Sequence, residues 1–83
     1  MNGKGWSFYN EKQYEKAIQA WEILMEAYPN FSEGYLYILR AQVQLKQDSA
    51  KTVSAFKTSL AGSGFYSGEE KKELEAELKE ILR

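Results

Sequence analysis

An all-α fold is the prediction for this chain, and three features of the sequence carry it. Apolar residues recur at helical spacing in five separate segments, short polar breaks divide those segments, and no stretch alternates over more than a few positions. Breaks of roughly two to six residues imply antiparallel neighbours, so five helices in helix-turn-helix pairs are expected.

The first helix is predicted over Gly3 to Asn10, with Trp6, Phe8 and Tyr9 crowded into two turns and Asn10-Glu11-Lys12-Gln13 as the break. The second, over Gln13 to Tyr28, carries Tyr14, Ala17, Ile18, Trp21, Leu24, Met25 and Tyr28 as one broad apolar stripe. Pro29 ends it. Ser32 is the expected N-cap of a third helix, with Glu33 at the positive end of its dipole. Tyr35, Leu36, Ile38, Leu39, Val43 and Leu45 make that helix apolar on more than one side, the mark of a sandwiched element. Lys46-Gln47 ends it.

Asp48 then caps a fourth helix that buries Val53, Phe56 and Leu60, and Gly62 is the expected C′ residue of a Gly62-Ser63-Gly64 loop. Ser67-x-x-Glu70 matches a capping box opening the last helix. There Leu74, Leu78, Ile81 and Leu82 form a narrow stripe, with Glu75 and Lys79 spaced as an i, i+4 pair and the rest of the surface charged.

Composition removes most chemistry. The 83 residues include no cysteine and no histidine, which excludes disulfides, the usual imidazole base and most zinc or copper ligand sets. Seven serines therefore lack an ordinary activating base, and the acidic residues show no calcium-loop spacing. Gly3-x-Gly5 and Gly62-x-Gly64 lack the strand and lysine of a phosphate loop. The expectation is no catalytic residue, no metal and no cofactor. A formal charge of −1 gives no electrostatic drive toward nucleic acid or anionic lipid. No apolar run reaches the ~20 residues of a membrane span, so a soluble chain is expected, with the cytoplasm favoured.

The second and fourth helices superpose in sequence. Ile18 meets Val53, Ala20 meets Ala55, Trp21 meets Phe56 and Met25 meets Leu60, at a constant offset of 35 residues. Gly5-x-x-Phe8, then Tyr14-x-x-Ala17-x-x-x-Trp21 and Pro29, resembles the glycine, aromatic, alanine, aromatic and proline pattern of the tetratricopeptide repeat, whose period is about 34 residues. The second unit keeps less of it: the glycine position falls on Leu39 or Arg40, the alanine position on Thr52, and Gly62-Ser63 replaces the proline. The resemblance implies one domain over 1–83, with repeats at 1–30 and 31–61 and a capping helix at 67–83.

It also implies a function. First helices of successive repeats line a concave groove that grips an extended peptide or a partner helix. Carried over by residue, that groove takes Asn2, Trp6, Tyr9 and Asn10 from the first helix. From the third it takes Tyr37, Arg40, Ala41 and Gln44, within a one-residue ambiguity of register. Trp6 and Tyr9 suit rigid aromatic anchors, and Arg40 a bidentate grip on a carboxylate. The expected partner is a protein or peptide. Two other readings stay open: a self-assembling module or spacer, with the fifth helix or a rich aromatic surface pairing two copies as a homodimer, or a scaffold with no ligand of its own. Nine of the twelve aromatic residues lie within residues 1–37, which points to a surface patch there.

Overall fold

A computed structural model describes residues 3–83 and consists of helices α1 (Gly3–Asn10), α2 (Tyr14–Ala27), α3 (Glu33–Gln44), α4 (Ala50–Gly62) and α5 (Gly68–Leu82), with no strand among the described residues. The fold is all-α and built by helix-on-helix packing. α1 lies on α2, and α3 is the central element, packed against α2, α4 and α5.

Local sequence explains most of the helix ends. α1 closes with Lys12 at φ 63°, the Gln13 N–H donating to Phe8 O at 2.8 Å and the Lys12 N–H to Tyr9 O at 3.0 Å. α3 closes in the same way. Lys46 sits at φ 57°, with the Gln47 N–H on Gln42 O and the Lys46 N–H on Val43 O. Both are Schellman closures with lysine in the left-handed position. They lie 34 residues apart, and counted by that offset Leu39, not Arg40, is the α3 counterpart of Gly5. The extra residue that makes the α2–α4 offset 35 sits in the turn after Lys46.

Asp48 lies one residue before the N-cap position of α4, which is Ser49, and its Oδ1 accepts from the Ala50 N–H at 3.0 Å. The capping box is complete: Glu70 N–H donates to Ser67 Oγ at 3.1 Å, and Ser67 N–H donates to Glu70 Oε1 at 2.9 Å. Three expectations change. The Ser32 side chain does not cap α3; it is fully buried and hydrogen-bonds Ser59 Oγ at 2.8 Å. Ser59 in turn donates to Pro29 O at 3.1 Å, so the pair ties the α2–α3 turn to α4. Gly62 belongs to α4 with an ordinary negative φ, and Ser63 takes the C-cap. Glu75 and Lys79 form no ion pair; among the described residues the ion pairs are Arg40–Glu77 and Arg83–Glu80.

The core falls into two clusters that share α3. One gathers Ala17, Trp21, Leu24 and Met25 of α2 with Ile38 and Ala41. The other joins Leu36 and Leu39 to Phe56, Leu60, Tyr66, Leu74 and Leu78. α3 is thus apolar on opposite sides, as its sequence requires. Val43 and Leu82, expected inside, are instead exposed. The superposed pairs keep their burial: Trp21 and Phe56 are sealed, Met25 and Leu60 are buried, and Ile18 and Val53 are half-buried.

A candidate groove across α1, α3 and α5

Glu33, Tyr37, Arg40 and Gln44 stand at i, i+4, i+7 and i+11, so α3 turns them to one side. The opposite faces of α3 are consumed by the two core clusters. Gly34 and Ala41 instead face α2: a Cβ at Gly34 would collide with Met25 Sδ, and Ala41 has no exposed surface. Ala41 is therefore not a groove residue. The expectation failed there because the close approach of α2 covers the neighbouring helical position. Glu33, one turn before Tyr37, belongs to the face in its place.

The α1 side of this face is aromatic. Trp6 is half-buried, its ring 4.9 Å from Trp21, 4.9 Å from Tyr37 and 5.4 Å from Tyr9, all near edge-to-face. Tyr9 continues the layer to Tyr14 at 5.2 Å. Contacts of this kind contribute about 0.5–1.5 kcal/mol each beyond burial. Three of them hold Trp6, so it offers a fixed partial face and does not swing freely. Phe31 stands 5.8 Å from Tyr37 and extends the layer toward the α2–α3 turn. Asn10 and Gln44 are exposed at the equivalent ends of α1 and α3, 34 residues apart. Asn2 lies outside the described residues.

Charge enters from α3 and α5. Arg40 Nη2 donates to Glu77 Oε1 at 2.6 Å, with side chains 37% and 39% exposed. An ion pair this wet contributes up to roughly 1 kcal/mol, yet it changes the chemistry. Arg40 is already engaged by the chain's own carboxylate, and a partner carboxylate would have to displace Glu77. Partial burial, then Glu77, then Glu70 raise the Glu33 pKa above its ordinary value. Burial first, and next the Glu33 and Glu77 carboxylates, push the Tyr37 hydroxyl up as well, with Arg40 opposing them. Tyr66 is shifted upward by burial and by Glu33. The Ser32 and Glu33 amides approach its hydroxyl closely enough to oppose that shift, but no hydrogen bond of good geometry forms, so Tyr66 Oη is buried and unpartnered.

Sequence reasoning missed Glu33, Glu77 and Tyr66. Glu33 could have been found from its i, i+4 spacing to Tyr37. Glu77 reads in sequence as one more solvated glutamate, and Tyr66 sits in a loop without periodicity. Among the described residues no cluster of acidic side chains is arranged to hold a metal ion, and no helix is long and apolar enough to cross a membrane. No protein-family model, curated protein or solved structure matches the chain.

Proposed function

We propose that the chain is a tetratricopeptide-like interaction module that binds a peptide or a partner helix along the face shared by α1, α3 and α5. The observation that carries this reading is the continuous surface from Tyr9 through Trp6 and Tyr37 to Arg40 and Glu77. It offers rigid, partly exposed aromatic rings beside charged and amide groups, the mixture that dominates binding energy at small interfaces. The 34-residue recurrence of the α1 and α3 closures and the matched burial of α2 and α4 support the repeat reading. Binding, not catalysis, is the proposed role, with no cofactor required.

A random-peptide display selection against the immobilised domain tests it, repeated with a Trp6→Ala variant whose helicity is checked by circular dichroism. Enrichment of a motif that Trp6→Ala loses is the expected result. No enrichment, or equal binding by the variant, removes the groove reading.

One observation favours self-assembly as a second reading. A cavity of about 330 Å³ opens between Leu24, Tyr28, Phe31 and Phe65, and Phe65 is 78% exposed. A mass that rises with concentration, and stays monomeric in a Phe65→Asp variant, would establish a homodimer through this notch.

A further inference from the structure

We infer that the occupant of the groove is a basic segment, a peptide or helix presenting lysine or arginine side chains; this rests on the groove reading above. On α5, Glu70, Glu73, Glu77 and Glu80 stand at i, i+3, i+7 and i+10, along one edge of the Leu74–Leu78–Ile81 stripe that docks into the core. Lys71, Lys72 and Lys79 fall on the other side of that stripe. The Arg40–Glu77 pair shows which edge meets α3: it is the glutamate edge. Glu33 joins it from α3, so carboxylates line the groove on two helices.

Both arginines are already engaged. Arg40 is held by Glu77 at 2.6 Å, and Arg83 reaches Glu80 at 3.1 Å. Among the described residues, Glu33, Glu70 and Glu73 have no cationic partner within 4 Å.

Beside this acidic wall, the rings of Trp6, Tyr9 and Tyr37 supply the floor. Aromatic faces attract ammonium and guanidinium groups, and lysine and arginine stems pack well on such rings. An acidic partner would meet carboxylates on both walls and would have to break the Arg40–Glu77 pair. Charge complementarity therefore selects a cationic occupant, and it predicts that removing Arg40 helps binding where removing Glu33 harms it.

The experiment is the display selection carried out in parallel on the unaltered chain and on Glu33→Gln, Arg40→Gln and Trp6→Ala variants. An enriched peptide is then synthesised and titrated at two salt concentrations. Enrichment of lysine and arginine is expected, with binding roughly three- to tenfold weaker to Glu33→Gln, tighter to Arg40→Gln, and weaker at high salt. Enriched peptides that are acidic or uncharged, or that Arg40→Gln weakens, overturn the charge inference; their loss by Trp6→Ala would leave the groove reading standing. If nothing is enriched, or Trp6→Ala binds unchanged, the groove reading falls and this inference falls with it.

Discussion

Gly5 decides how near α1 can come to α2, because a Cβ at that position would run into the Trp21 indole. The contact lets a fully buried tryptophan serve as the centre of its cluster while Trp6 closes over it. Gly5→Ala is expected to cost about 1–3 kcal/mol as overpacking, read as a fall of several degrees in the melting temperature. An unchanged melt would mean that α1 packs less closely than described. Glu33 behaves in the opposite sense. Its folded-state pKa is raised by burial and by Glu77 and Glu70, so its carboxyl favours folding below the ordinary value of 4.5. That contribution is lost as pH rises through the raised folded-state value. Glu33→Gln is therefore expected to melt higher than the unaltered chain at neutral pH, with the gap closing below about pH 4.5. Paired thermal melts across that range check the sign.

α3 shows how far an element can be read from its own residues. Its two apolar sides were visible in Leu36, Ile38 and Leu39, and both are used, one toward α2 and one toward α4 and α5. Its start was placed correctly, with Ser32 in the N-cap position, but the role of that side chain was not: it bonds Ser59 instead of capping, and the two roles look the same in sequence. α5 is the more local case. Ser67 and Glu70 bond reciprocally and fix where the helix begins. Ser67→Ala is expected to destabilise the chain by about 1 kcal/mol, with hydrogen exchange rising first in the opening turn of α5. Uniform exchange along the chain would show that the box does not govern this end.

The whole molecule is joined through α3, which supplies side chains to both core clusters. Neither cluster can lose α3 without exposing the other, so one cooperative transition is expected. Both tryptophans belong to the α1–α2 side, whereas far-ultraviolet circular dichroism reports every helix. Tryptophan fluorescence and circular dichroism should therefore give the same midpoint on thermal unfolding. Separate midpoints would mean that α4 and α5 melt apart from the first pair.

The candidate site was legible only in part. Tyr37, Arg40 and Gln44 share one face of α3 by helical spacing, but it was the tetratricopeptide resemblance that set Trp6 and Tyr9 of α1 beside them. Ala41 follows Arg40 by one position, and nothing local distinguishes a covered alanine from an open one. The i, i+3, i+4 pattern, the breaks at Lys12, Pro29 and Lys46, and the capping box are encoded by residues within one or two turns of each other. Such short-range physics is why helix number, order and limits could be determined from sequence alone. The rotation of each helix about its axis is set by contacts between residues far apart in the chain, such as Gly5 with Trp21 and Gly34 with Met25. Only the tertiary structure could therefore bury Ala41, pair Arg40 with Glu77 and bring the α5 glutamates to face Glu33.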